Sequence, residues 1–190
     1  MPGSVRIIGG RLRGSKLAVP DAPGLRPTPD RVRETLFNWL APMIAGARCL
    51  DLFSGTGALG IEALSRGAGH CQFIERDAAL ARSLRENLTR LGEKALDVHQ
   101  ADALGLVARP APAPYDLVFL DPPFAENLWQ TVAAHLEAQG WLTQSGWIYV
   151  ESPADQPLVL PQTWALHREK TAGNVRYALF CRSVKLASAE

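Results

Sequence analysis

The sequence predicts an α/β fold in which a mainly parallel sheet is covered by helices on both faces. Three observations carry this. From residue 47 onward, short apolar, β-rich runs alternate with helical patterns. A glycine-rich turn separates the first run from the first helix. The last two runs are joined by "TAGN", a turn signal that implies an antiparallel hairpin at the sheet edge.

In chain order, "VRIIGGRLRGSKL" places Gly9 and Gly10 between two short β-prone runs, which predicts a hairpin. "RPTPDRVRETLFNWL" predicts a helix with Thr28 as N-cap and Pro29 at the first position; Val32, Leu36, Trp39 and Leu40 share its apolar face. Residues 1–40 thus read as a small extension before a body of residues 41–183 and a frayed tail of residues 184–190. In the body, "ARCLDLF" (47–53) is the first strand, and "ALGIEALSRG" the helix after it, closed by Gly67. "HCQFIERD" (70–77) is the second strand. Asp77 then caps a helix striped by Leu80, Leu84, Leu88 and Leu91 and ended by Gly92. "ALDVHQAD" (95–102) and "YDLVFLD" (115–121) are the third and fourth strands, separated by the stiff "RPAPAP" (109–114). A helix carrying Leu128, Val132 and Leu136 leads to the fifth strand, "WIYVES" (147–152), and "WALHREK" and "VRYALFCR" form the closing pair.

At 190 residues the chain is long enough to bury about 70% of its unfolded surface without disulfides. Its cysteines, Cys49, Cys71 and Cys181, are odd in number and set among apolar residues, which predicts buried free thiols in a reducing cytosol. No apolar run reaches the roughly 18 residues of a membrane span, so a cytoplasmic location and no membrane partner are expected. His70, His99, His135 and His167 lie on separate elements without ligand spacing, so no metal site is expected. Trp141, Trp147 and Trp164 read as packing residues. Net charge is only +1, yet residues 1–35 hold seven bases (Arg6, Arg11, Arg13, Lys16, Arg26, Arg31 and Arg33) against three acids. Such an arm suits a polyanion, because each base that neutralises a phosphate releases counterions.

"DLFSGTGALG" contains G-x-G-x-x-G as Gly55, Gly57 and Gly60 between strand and helix, where glycine lets a ligand lie against the backbone at a helix N-terminus. The pattern alone also describes a dinucleotide site. Asp51, just ahead of it, would repel a pyrophosphate and favour the ammonium and sulfonium charges of S-adenosylmethionine. Glu75, ending the second strand, is placed to accept the ribose hydroxyls, and Asp102, ending the third, the adenine amino group. Phe53, Ser54 and Arg76, neighbours of these positions, are assigned to the same cofactor site.

The fourth strand ends in "DPPF". An exocyclic base amine is a poor nucleophile because its lone pair is delocalised into the ring. Accepting its two N–H bonds redirects that lone pair toward the methyl carbon. Asp121 supplies one acceptor and takes the proton; the Pro122 carbonyl supplies the other, its backbone restrained by Pro123. Phe124 offers a face on which an extruded base can stack.

"DLFSGTGALGIEAL", "FIERD", "LDPPF", the leading "RIIGGRLRG…RPTPDRVRETLFNWL" and the late "LHREKTAGNVRYALF" together resemble the bacterial ribosomal small subunit methyltransferase D family, over about residues 4–182. The resemblance implies the Rossmann-like class I methyltransferase sheet of seven strands in the order 3-2-1-4-5-7-6, its last strand antiparallel. It also implies S-adenosylmethionine as donor, N2 of one guanine in 16S ribosomal RNA as acceptor, and assembled small-subunit particles as substrate, acted on by a monomer. It places Arg31 and Arg33 near the pocket mouth, against RNA phosphate or cofactor. Three alternatives stand beside it. A DNA adenine-N6 or protein amide methyltransferase would usually begin the loop with Asn. An NAD-dependent oxidoreductase fits the glycines but not Asp51. A noncatalytic RNA-binding assembly factor would keep the basic arm alone.

Overall fold

A computed structural model describes residues 3–20, 28–93 and 97–183. Arg26 and the tail 184–190 lie outside them, as do residues 95 and 96 of the expected third strand. The strands are β1 (Gly3–Arg6), β2 (Lys16–Val19), β3 (Arg48–Asp51), β4 (His70–Glu75), β5 (Val98–Gln100), β6 (Tyr115–Leu120), β7 (Leu142–Pro153), β8 (Trp164–Ala172) and β9 (Val175–Arg182). The helices are α1 (Asp30–Leu40), α2 (Ala58–Ser65), α3 (Ala78–Arg90), α4 (Ala103–Val107) and α5 (Trp129–Ala138). Strands β1 and β2 pair by themselves, and the other seven form one sheet in the order β5-β4-β3-β6-β7-β9-β8. Counted within that sheet, this is the expected order, and β9 runs antiparallel to both its neighbours.

Each face of the sheet carries its own apolar layer. Leu36 and Phe37 of α1, Ile61 of α2 and Leu84 and Leu88 of α3 cover Phe73, Phe119 and Tyr149 on one side. Val107, Trp129, Val132, Leu136 and Trp141 cover Leu50, Ile74, Val118 and Ile148 on the other. The hairpin residues Val5, Ile7, Leu12 and Leu17 belong to the first layer. The extension and the body therefore share a core. Among the described residues no helix is long and apolar enough to cross a membrane.

Asp77 caps α3 as expected, its side chain accepting from the Ala79 and Leu80 amides. Other expectations need correction. Thr28 does not cap α1: Pro29 holds that position without a side-chain bond, and the Thr28 hydroxyl donates instead to Glu151, 123 residues away, at 2.8 Å. Strands β1 and β2 do form the expected hairpin around Gly9 and Gly10, with residues 7–15 between them. The two glycines press on α2: Gly10 has φ +74°, and a Cβ there would stand 1.9 Å from the Ser65 carbonyl oxygen. Strand β7 begins at Leu142 instead of Trp147, across a register shift, and α4 was not expected. Cys49 and Cys71 are buried and reduced, whereas Cys181 is partly exposed.

Gly60 lies inside α2, and a Cβ there would meet the Phe73 ring at 2.3 Å and Cys71 Sγ at 2.7 Å. Its missing side chain lets α2 lie on β4. Gly60→Ala should destabilise the protein by about 1–3 kcal/mol, the usual range for forcing a methyl group into a packed core. Urea unfolding is the measurement.

Candidate active site

Parallel strands in register carry side chains of paired residues on the same face, and residues two apart return to it. Asp51 of β3 is level with Phe73 of β4 and Phe119 of β6, and Phe119 is level with Tyr149 of β7. Glu75, Asp121 and Glu151 follow those aromatics by two positions. Four carboxylates thus line one face of the sheet at the C-terminal ends of adjacent strands, in the order Glu75, Asp51, Asp121, Glu151. Open α/β sheets bind ligands at this edge. A cavity of about 300 Å³ beside Met43, Asp116 and Trp147 lies at the opposite strand ends and contains none of these acids.

The glycine loop brings backbone to this row. Gly55 has φ +50° and Gly57 φ +77°. Glu75 accepts the Gly55 amide on one oxygen and the Asp77 amide on the other, each at 2.8 Å, so its carboxylate is fixed with further acceptor capacity free. Asp51 caps α2 by accepting the Gly60 amide at 3.1 Å. The Ser54 hydroxyl donates to the Asp51 carbonyl at 2.9 Å. Phe53 packs against the opposite apolar layer. Asp102 is exposed and caps α4 through the Gly105 amide at 2.7 Å. The Arg76 guanidinium pairs with Glu126, just past the "DPPF" turn, which joins the loops after β4 and β6.

At the end of β6, Asp121 is partly exposed, Pro122 buried and Pro123 exposed. Phe124 opens a short 3₁₀ turn, Phe124–Glu126. It is 37% exposed, and its ring is braced 5.7 Å from that of Trp129. The Trp129 indole N–H donates to the Glu151 carbonyl at 2.7 Å, tying this turn to β7. One ring face of Phe124 can therefore receive a planar group while the other side is held.

Burial pushes the Asp51 carboxyl from 3.8 up to about 7, with the Gly60 amide working against the rise and Glu75 adding to it. Asp121 is pushed well up by burial, then by the charges of Glu151 and Asp51. Among the described residues neither acid has an ion-pair partner. Sheltered carboxylates without counterions fit a cationic ligand. A pH dependence follows. The folded, cofactor-free protein keeps a proton on Asp51 that the unfolded chain releases, so stability falls as pH rises from 3.8 to about 7. Its melting temperature should therefore be higher near about pH 5 than near about pH 8, and Asp51→Asn should reduce that slope. Thermal scans across this range make the check.

The basic arm divides. Arg6, Arg13, Lys16 and Arg31 are exposed, and Arg11, also exposed, pairs with Glu93. Arg33 corrects the expectation of a contact at the pocket mouth. It is fully buried, donating to the Thr28 carbonyl at 3.2 Å and the Arg6 carbonyl at 2.8 Å, and pairing with Asp30 at 2.7 Å and Glu62 at 3.5 Å. Sequence reasoning missed Glu62 and Glu151. Glu151 carried a signal, an acid directly after an apolar strand, the same pattern that marks Asp51, Glu75 and Asp121.

The ribosomal RNA small subunit methyltransferase D of Escherichia coli (strain K12) is 50% identical over 184 residues, 96% of this chain and 92% of that protein. The protein of that name from Haemophilus influenzae is 47% identical over 182 residues, 94% of each chain. The solved Escherichia coli methyltransferase yhhF superposes with a TM-score of 0.88 at 46% identity, covering 96% of this chain and all of that one. A family model described as "Conserved hypothetical protein 95" matches residues 5–181. With its acid row, its glycine loop and relatives at this level of identity over nearly its whole length, the chain belongs to the ribosomal RNA small subunit methyltransferase D family.

Proposed function

We propose that this chain transfers a methyl group from S-adenosylmethionine to the exocyclic N2 of a specific guanine of 16S ribosomal RNA, in assembled small-subunit particles. The observation that carries the reading is the adjacency of Asp121 and the Pro122 carbonyl to the loop of Gly55, Gly57 and Gly60, on the edge lined by uncompensated carboxylates. When bound, S-adenosylmethionine supplies a methyl group on a sulfonium centre. Glu75 holds the ribose hydroxyls, Asp102 accepts from the adenine amine, and Asp51 faces the cationic end. Asp121 and the Pro122 carbonyl accept the two N2–H bonds and turn the nitrogen lone pair toward the methyl carbon. The bound donor would give its methyl to N2 and keep the C–S electron pair on sulfur, and Asp121 would take the N2 proton. Phe124, backed by Trp129, stacks the extruded base.

Residues 1–40 act as the RNA-facing part. Arg6, Arg11, Arg13, Lys16 and Arg31 meet the phosphate backbone, while Arg33 holds the arm's shape. The protein works as a monomer in the cytoplasm. The test incubates it with labelled S-adenosylmethionine and unmethylated small-subunit particles, and maps the product by mass spectrometry. A methyl group on guanine N2 of 16S ribosomal RNA is the expected result. Label in DNA or protein, or on another atom of the RNA, overturns the reading.

A further inference from the structure

We infer that Glu151 is a specificity-determining residue that accepts the N1–H of the target guanine beside the amine held by Asp121. The inference rests on the guanine-N2 reading above and adds how the base is told from others.

The acid row runs in ligand order. Glu75 serves the ribose, Asp51 the cationic centre and Asp121 the reacting amine. Glu151 is the next carboxylate in that direction, on the far side of Asp121 from the cofactor. Leu120 and Val150 are paired in register, so Asp121 and Glu151 are the next residues along adjacent parallel strands, whose axes lie about 4.8 Å apart. On the Watson–Crick edge of guanine the N1–H is the immediate neighbour of the N2 amine, and both are donors. Two acceptors side by side match that edge. Adenine presents a lone pair at N1, which a carboxylate repels.

Glu151 is built for such a task. It is 5% exposed. Its Oε1 accepts the Thr28 hydroxyl at 2.8 Å and the Tyr149 hydroxyl at 2.7 Å. Its carbonyl accepts the Trp129 indole N–H. Among the described residues no group donates to Oε2, and no cation pairs with the carboxylate. One oxygen is thus anchored from α1's entry and from its own strand, and the other is left over beside Asp121. Oε2 is not among the buried unpartnered atoms, so it reaches the open side of the row and is free to accept from a ligand.

The experiment compares particles carrying guanine at the target position with particles carrying 2-aminopurine there. 2-Aminopurine keeps the C2 amine but has a lone pair instead of a proton at N1. Single-turnover methylation is measured for the wild type and for Glu151→Gln. In the variant the amide oxygen can still accept from Thr28 and Tyr149, while the amide nitrogen takes the place of Oε2 and donates. The wild type should methylate guanine at least about tenfold faster than 2-aminopurine, the scale of one hydrogen bond to a charged group, and Glu151→Gln should erase or reverse that preference. Equal rates on the two bases with the wild type overturn the inference even if the variant does not fold. So does a variant that slows both bases equally and keeps the preference. Methylation of guanine N2 without discrimination removes this inference alone, whereas no methyl group on guanine N2 removes the parent reading as well.

Discussion

Asp121→Ala should lower single-turnover methyl transfer by about two to four orders of magnitude, the range for removing a positioned proton acceptor, while the dissociation constant for S-adenosylmethionine changes only a few-fold. The separation follows from placement. The glycine loop hydrogen-bonds to Glu75, and Asp51 caps α2; neither depends on Asp121, whose side chain has no ion-pair partner among the described residues. Removing its carboxylate also relieves repulsion with Glu151 and Asp51, both of which push it up. The variant should therefore be at least as stable as the parent above neutral pH, a loss of chemistry without a loss of fold. Calorimetric titration and a rapid-quench rate together make the check. An equal loss of binding and rate would place Asp121 in cofactor retention instead.

Glu62→Ala should have the largest effect on stability. Glu62 on α2 is fully buried. It accepts the Ile8 and Gly9 amides and the Arg66 guanidinium, each at 2.8 Å, and it lies 3.5 Å from the Arg33 guanidinium. Its loss leaves the Ile8 and Gly9 amides without their acceptor and takes the buried counterion from Arg33, which keeps only the exposed Asp30 and two carbonyls. Breaking one side of a buried ion pair costs about 3–5 kcal/mol, which for a chain of this size lowers the melting temperature on the order of 10 °C. Glu62→Gln keeps an acceptor oxygen and should fall between. Denaturant unfolding measures both. A near-neutral alanine variant would mean that water replaces these contacts and that the arm is not fastened through α2.

The parts of the fold legible in the sequence were those written in local pattern. The alternation of apolar runs, the glycine loop and the Asp77 cap each depend on neighbours within a few residues, and all appear where the spacing puts them. What was not legible depends on distant partners. Thr28 has the chemistry of a cap, yet its hydroxyl is claimed by a carboxylate at the far end of β7. Arg33 looks like a solvated base on a helix, and only the meeting of β1, α1 and α2 around it reveals a buried anchor. Gly9 and Gly10 signal the hairpin connection in which they lie, but the close approach of Gly10 to Ser65 depends on α2 and was not written there. Helix α4, five residues long, is too short to show a period. In the candidate site, the grouping of Asp51, Glu75 and Asp121 at one sheet edge was legible because they flank motifs. Glu151 carries the same strand-end pattern, but only its register beside Asp121 sets it in the row.

The apolar layer shared by the hairpin, α1 and the sheet bears on how such an enzyme can be altered. Swapping the first 40 residues for a segment of another protein would remove Phe37 and Trp39 and uncover Phe119 and Tyr177, which they cover, unless the graft rebuilt the same packing. The hairpin and α1 are therefore not a separable module in this chain. Changes to the arm that keep the fold are confined to side chains on its outer surface, with its inner surface left alone.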